Sequence, residues 1–328
     1  ARLARESAAC AAAALRQPHA GGAPMAEARA RPVDSTILDA EGEVCAALMR
    51  DLQAGDRTQA MAAERLQGSV VRWSFHPSGC RLVQVALELC TVDVASALVS
   101  ELRGSVRLAT ESKHANFVLA KAVEVLPAEH VAFIAEEIRG FASAAIRHQY
   151  GCRIFCRLIE HAGAYPATSR LVDEEIAPKA PELAKHEFAH YVVACVLEHG
   201  LPEHKQQVVR SLLTDRLAGL AQSRHGRFVV ETLFAYGSSD DRSAALELLR
   251  RAANPVDLAM HSHAHAALGA ALRSSVDGPG VAAELTALAS ELAAAAPMLA
   301  ENRFGQRVLQ AAEKVCATQV PRFAAAGA

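Results

Sequence analysis

Seven short constellations along the chain join hydrogen-bonding side chains to planar ones at one fixed spacing. They are Cys80-Arg81-Gln84, Asn116-Phe117-Ala120, Cys152-Arg153-Cys156, His190-Tyr191-Ala194, Arg227-Phe228-Glu231, His265-Ala266-Gly269 and Gln306-Arg307-Gln310. The first and third members stand four residues apart, so on a helix they lie on one face. The second member is in turn Arg, Phe, Arg, Tyr, Phe, Ala and Arg, a planar side chain in six of the seven. A Phe or Tyr on a helix is most often a core residue. Here, though, the rings alternate with arginine, which is seldom buried unless paired. The seven positions therefore belong to an exposed face that can hydrogen-bond through its outer members and stack through its middle one. Surface ion pairing by Arg81 and Arg153, contributing at most ~1 kcal/mol each, is the lesser reading.

Other groups that could do chemistry reduce to less. His261 and His265, in the run His261-Ser262-His263-Ala264-His265, have the four-residue spacing that chelates zinc on a helix. No further ligand lies nearby, and both positions recur as ordinary members of the pattern described below, so no metal is expected. Cys152 and Cys156 share the spacing and lack the partners of a four-ligand site; Cys156 is expected to be oxidation-sensitive if exposed. The eight cysteines include no Cys-x-x-Cys pair, and with no secretory segment evident a reduced intracellular thiol set is expected. A Gly-rich phosphate loop, a nucleophile elbow and a paired-carboxylate pocket are all missing from the sequence. Neither catalysis nor a cofactor is expected.

What must position the constellations is a repeat. Their first members fall at 80, 116, 152, 190, 227, 265 and 306, in steps of 36, 36, 38, 37, 38 and 41. Gly68, Gly104 and Gly140 keep the same 36-residue step. Each copy opens with a polar, helix-favouring stretch, as at 92–102, 127–138 and 239–251, followed by a short connection and a second helical stretch. In the second stretch an apolar pair follows each first member: Leu82-Val83, Val118-Leu119, Ile154-Phe155, Val192-Val193, Val229-Val230, Ala267-Leu268 and Val308-Leu309. A further pair one turn later, such as Ala86-Leu87 or Leu158-Ile159, completes a buried stripe. Four residues before each first member stands His76, Ser112, His148, His186, Ser223, His261 or Asn302. Ser and Asn there would cap the second helix, and the histidines would take the same task.

Units this short cannot bury their apolar faces alone and must stack. The expected fold is all-α, a curved α-solenoid of about seven repeats over residues 55–316, with an N-terminal cap at 34–54. Residues 1–33 read as a low-complexity Ala/Arg-rich disordered arm and 317–328 as a C-terminal tail. The first residue is Ala, so a fragment or processed chain is expected. Composition agrees: the chain is alanine-rich with 5% aromatics, which favours helices over sheets. It has no uninterrupted apolar run of transmembrane length. The 34 basic and 36 acidic residues give a formal charge of −2, which speaks against a highly basic nucleic-acid coat protein but allows a local basic face.

With period and motif together, the segments resemble the repeats of the Pumilio (PUF) family of RNA-binding proteins. Phe75-His-Pro-Ser-Gly-Cys-Arg-Leu-Val-Gln84, Ser112-Lys-His-Ala-Asn-Phe-Val-Leu-Ala120, His148-Gln-Tyr-Gly-Cys-Arg-Ile-Phe-Cys156 and His186-Glu-Phe-Ala-His-Tyr-Val-Val-Ala194 carry the likeness best. The resemblance implies a concave surface on which each repeat offers two edge-reading side chains and one stacking side chain to a single RNA base. Stacking would fall to Arg81, Phe117, Arg153, Tyr191, Phe228 and Arg307, at ~1–3 kcal/mol per base. Base edges would meet Cys80, Gln84, Asn116, Cys152, His190, Arg227, Glu231, His265, Gln306 and Gln310. Cys80 with Gln84 looks like the family's adenine-reading pair. Gln306 with Gln310 is similar to the uracil pair, and Glu231 keeps the guanine-type glutamate.

The chain also departs from the pattern. Ala120, Cys156, Ala194 and Gly269 stand where the family has Gln or Glu, Ala266 cannot stack, and seven copies are evident where eight are usual. Weaker or less selective reading is expected in the middle and sixth repeats, with phosphate contacts from Arg81, Lys121, Arg153, Arg157, Arg227 and Arg307. The resemblance implies a monomer that binds single-stranded mRNA, in its 3′ untranslated region. It would control translation or decay through recruited protein effectors, in the cytoplasm and away from membranes. Two alternatives stand beside this: a nucleolar relative that binds structured RNA in ribosome biogenesis, and a protein-binding scaffold without RNA affinity.

Overall fold

The computed structural model describes residues 35–274 and 279–324. The expected arm at 1–33 lies outside the described residues. Among those described, every regular element is helical. They form two compact units, one ending at Ala62 and the other beginning at Ala63. The first contains the helix Ser35–Gln53, where the cap was expected. The second holds the repeats, and the site lies within it.

Each repeat has three helices rather than the two that the sequence pattern indicates. In the second repeat these are an outer helix Val92–Ser100, a short helix Val106–Glu111 and an inner helix Ala115–Val125. The stretch read as a connection is itself helical for five or six residues, as at Val70–Phe75, Ala142–Ile146, Leu217–Gln222 and Pro255–Met260. Gly68 and Gly104 open two of these short helices with φ of 78° and 77°, a left-handed backbone that L side chains rarely adopt. The freed amides there are met from the next repeat. Glu101 accepts from the backbone of Gly68 (2.7 Å) and Val70 (3.0 Å), and Glu137 accepts from Gly104 (2.8 Å).

The inner helices are Gly79–Leu89, Ala115–Val125, Gly151–Ala162, Ala189–His199, Gly226–Tyr236, Ala264–Arg273 and Gly305–Ala324. Each packs on the next in order, giving the solenoid. Leu82, Val83, Val118, Leu119, Ile154, Phe155, Val192, Val193, Val229, Val230, Ala267, Leu268 and Val308 are all buried. Each large side chain among them contributes ~1.5–3 kcal/mol on leaving water. The last inner helix runs to Ala324, so the tail expected from 317 continues a helix.

The residue four before each first member caps its inner helix in all seven repeats. Ser112 Oγ accepts from the backbone of His114 and Ala115, Ser223 Oγ from Gly226, and Asn302 Oδ1 from Phe304 and Gly305. His76, His186 and His261 each accept two backbone N–H groups at Nδ1, and His148 accepts one. A nitrogen that accepts carries no proton, so these hydrogen bonds call for the tautomer with its N–H at Nε2.

The fourth repeat breaks the pattern. Its outer segment runs as Pro166–Leu171, a π turn Val172–Ile176 and a 3-10 turn Ala177–Lys179, before the short helix Ala180–Leu183. Pro178 and Pro181 lack the N–H that a continuous helix requires. The wider π turn accommodates an insertion in the helix, and the step into this repeat is 38 residues.

Candidate nucleic-acid interface

On the inner helices the first, second and third positions occupy the first two turns, directly after the cap. The first positions divide into two groups. Cys80, Asn116, Cys152 and His190 are buried, at 7%, 1%, 4% and 2% exposure. Each turns back on its own capping turn. Cys80 Sγ donates to the Pro77 carbonyl (3.3 Å), Asn116 Nδ2 to Ser112 (2.7 Å), and Cys152 Sγ to Gln149 (3.5 Å). Burial pushes the Cys152 thiol up to about 12, so it is a neutral S–H at physiological pH. His190 Nδ1 lies 2.9 Å from the His186 carbonyl, which can only accept, so Nδ1 carries the proton and Nε2 is left as an acceptor. Burial lowers the His190 ring to about 4, and it is neutral at pH 7.

Arg227 and His265 are only half-buried, and Gln306 is exposed. Arg227 Nη1 is 3.8 Å from Glu231 Oε1 on the same face. Burial raises the Glu231 carboxyl, while the charges of Arg227 and Arg273 oppose the rise. Arg227 Nε and Glu231 Oε1 are buried polar atoms with no hydrogen-bond partner. His265 Nδ1 lies 3.1 Å from the His261 carbonyl, and Gln306 Nε2 donates to Ala300 (2.7 Å). At the third positions, Gln84 Nε2 donates to the Cys80 carbonyl (2.9 Å), and Gln310 is exposed. Cys156 Sγ lies 3.8 Å from the Tyr191 carbonyl of the next repeat.

The second positions form a row open to solvent. Arg81 and Arg307 are exposed, Phe117 is 42% exposed, and Arg153, Tyr191 and Phe228 are half-buried. Neighbours along the row touch. The Arg153 guanidinium lies 5.9 Å from the Phe117 ring of the preceding repeat, and the His190 ring is 3.9 Å from Tyr191 and 5.7 Å from Phe228. Arg227 sits 4.2 Å over Phe228.

A further set of planar residues escaped the sequence reading. Two residues before each first member stand Ser78, His114, Tyr150, Phe188, His225, His263 and Phe304, planar in all but the first. Tyr150 lies 5.7 Å from the Arg153 guanidinium, His225 is 5.1 Å from His190, and Phe304 stacks on His265 at 4.7 Å and 28°. The signal was the recurrence of flat side chains at this offset. The signal is masked because these residues lie between the cap and the first member, whose roles already account for the segment.

Half of the cations expected to serve phosphates face carboxylates of their own helices. Lys121 pairs with Glu124 at 3.4 Å, Arg157 with Glu160, and Arg227 with Glu231.

A family model described as the Pumilio-family RNA binding repeat matches residues 69–103, 112–139, 146–174, 179–213 and 216–248. These segments cover the first five inner helices; the sixth and seventh rest on the sequence period and the structure. A Pumilio domain-containing protein of Schizosaccharomyces pombe, C6G9.14, is 30% identical over 141 residues, which are 43% of this chain and 20% of that relative. The chain therefore matches only a fifth of that relative's length. Among solved structures, PUF-8 in complex with PBE-RNA superposes with a TM-score of 0.74 at 20% identity, covering 86% of this chain and 84% of its own. The Puf4 RNA-binding domain bound to the HO endonuclease RNA 3′ UTR recognition sequence has a TM-score of 0.69 at 18% identity, covering 84% and 85%. At these identities the likeness is one of fold.

Proposed function

The chain belongs to the Pumilio family of RNA-binding repeats, a family without enzymatic activity, and from that premise we propose that it binds single-stranded RNA along its row of inner helices. Successive bases would slot between the second-position side chains, and their edges would meet the first and third positions. The observation that carries this reading is the solvent-open row Arg81, Phe117, Arg153, Tyr191, Phe228 and Arg307, held at one register by seven capped helices. Flat groups of this kind stack on any base, at ~1–3 kcal/mol each. The finer role extends the same reading: binding to mRNA 3′ untranslated regions, with translation or decay controlled by recruited effectors. Solved relatives carrying such RNA segments support it. The cytoplasm belongs to that proposal as its site of action.

The test is selection from a randomised single-stranded RNA pool at fixed near-physiological salt. It runs beside a triple variant, Phe117→Ala, Tyr191→Ala and Phe228→Ala. An enriched motif that the variant loses supports base-by-base reading. Absence of binding by the folded protein overturns it. A second reading, RNA bound by stacking and shape with little base selection, has one observation in its favour: Cys80, Asn116, Cys152 and His190 are buried. Binding without enrichment, lost in the variant, would establish that second reading.

A further inference from the structure

The sixth repeat lacks a third-position side chain, yet its face is not vacant there. Gly269 is buried on the inner helix Ala264–Arg273. A Cβ built at Gly269 would lie 2.9 Å from Arg273 Nη1 and 3.6 Å from both Cζ and Nη2. The guanidinium of Arg273 thus folds back one turn and covers the place where a third-position side chain would stand. Helical side chains lean toward the N-terminus, so a long residue naturally covers the surface one turn earlier. Arg273 itself is exposed, and its charge reaches Glu231, the third-position residue of the preceding repeat.

No other repeat makes this substitution. The residue eight after each first member is Glu88, Glu124, Glu160, Glu198, Ala235, Arg273 or Lys314. Where the third position is Ala120, Cys156 or Ala194, the residue one turn on is a glutamate already engaged elsewhere. Glu124 holds Lys121, Glu160 holds Arg157, and Glu198 accepts from the Tyr236 hydroxyl at 2.6 Å.

We propose that Arg273 is the edge-reading residue of the sixth repeat and that it selects cytosine. This rests on the RNA-binding reading above. Guanidinium offers only donors, in a planar fork suited to two adjacent acceptors. Of the four pairing edges, only that of cytosine places two acceptors, N3 and O2, side by side. The third group of that edge, the N4 amine, is a donor. His265 in the same repeat keeps Nε2 as an acceptor for it, since its Nδ1 is engaged with the His261 carbonyl. Guanine and uracil both put an N–H at the ring nitrogen facing the fork, and adenine offers a single acceptor. Gly269 permits the arrangement because any side chain there would displace the fork.

The experiment is selection from a randomised single-stranded RNA pool with the full chain and four variants: Arg273→Ala, Arg273→Lys, Gly269→Ala and Glu231→Gln. The Glu231→Gln motif identifies the base at the fifth repeat and so supplies the register. The expected result is a cytosine at the neighbouring position, lost in Arg273→Ala and in Arg273→Lys. Discrimination should fall by roughly ten-fold, the range of a lost bidentate contact. Gly269→Ala should weaken the same preference although alanine favours the helix, which separates loss of reading from loss of folding. An unchanged motif in Arg273→Ala, retention of cytosine by Arg273→Lys, or an equal loss for all bases overturns the proposal and leaves RNA binding intact. Absence of binding to any RNA by the unmodified chain overturns the RNA reading and this inference with it.

Discussion

The second to fourth repeats and the fifth to seventh share one inner-helix arrangement and differ in what they present. In the earlier group the first positions Asn116, Cys152 and His190 are buried and bonded to their own capping turns, and the third positions are Ala120, Cys156 and Ala194. In the later group Arg227, His265 and Gln306 reach the surface or lie half-buried, and Glu231, the Arg273 fork and Gln310 stand beside them. Stacking side chains run through both groups. The difference separates two tasks that one repeat is usually asked to do together. Holding a strand requires flat, sequence-tolerant surfaces, whereas telling bases apart requires reachable donors and acceptors that lack partners until the base arrives. On the proposed RNA-binding reading, affinity would be spread along the chain and selectivity concentrated toward its later repeats.

The comparison first requires that the scaffold be alike in both groups. Phe155 and Phe234 are each 1% exposed, on the third and fifth inner helices. Phe155→Ala and Phe234→Ala should each lower unfolding free energy by ~3–5 kcal/mol, the usual cost of emptying a buried aromatic site. Urea denaturation checks this. A loss confined to one of them would mean that the two groups differ in packing as well as in surface.

Titration sharpens the contrast next. His190 has a folded-state pKa of about 4, well below the ordinary 6.5, because of burial. The neutral ring's contribution to stability is complete above pH 6.5 and is lost as pH falls toward 4, where the unfolded chain binds the proton first. The amount at stake is on the order of 3 kcal/mol. His190→Phe keeps a flat ring against Tyr191 and Phe228 and should flatten the melting temperature between those pH values. A pH profile identical to that of the unmodified chain would show that the ring is not held neutral.

Edge chemistry gives the third contrast. Glu231→Gln should change the preferred base at one motif position by ~1–3 kcal/mol, because it alters a buried carboxylate oxygen that faces Arg227 but accepts no hydrogen bond. Asn116→Ser should leave the motif unchanged and lower stability by ~1 kcal/mol, the net value of one hydrogen bond. Binding isotherms with four single-base RNA variants check the first, and denaturation the second. A motif shift in Asn116→Ser would mean that the buried amide turns out to meet a base.

The sequence displayed the period, the caps, the buried stripe and the stacking row, because each recurs at fixed offset and depends on residue type alone. The short helices were not legible: five or six residues are too few to show helical periodicity against the adjacent cap and glycine. Nor was the burial of Cys80, Asn116, Cys152 and His190. A polar residue on the right face reads as a contact residue, and only the folded helix shows that its hydrogen bond goes to the turn below. Arg273 was missed for the opposite reason. It lies outside the triplet, and its role follows from the missing side chain at Gly269, an absence that spacing alone records as a defect. The π turn was not legible either: the step of 38 into its repeat recurs into the sixth, whose helices are ordinary.

The smallest expected effect concerns salt. Binding to a single strand weakens with salt in proportion to the phosphates neutralised, with a slope of roughly −0.7 for each. Lys121 and Arg157 already face Glu124 and Glu160, so drawing them to phosphate leaves a carboxylate behind. Arg81 and Arg307 are exposed, and neither has a carboxylate in ion-pair contact among the described residues. Arg81→Gln and Arg307→Gln should each make the slope shallower by ~0.7, whereas Lys121→Gln and Arg157→Gln should change it by less than half that amount. Affinity measured across a salt series with one RNA distinguishes them. Equal changes in all four would place phosphates along the whole face, and the paired cations of the earlier repeats would then have to give up their glutamates on binding.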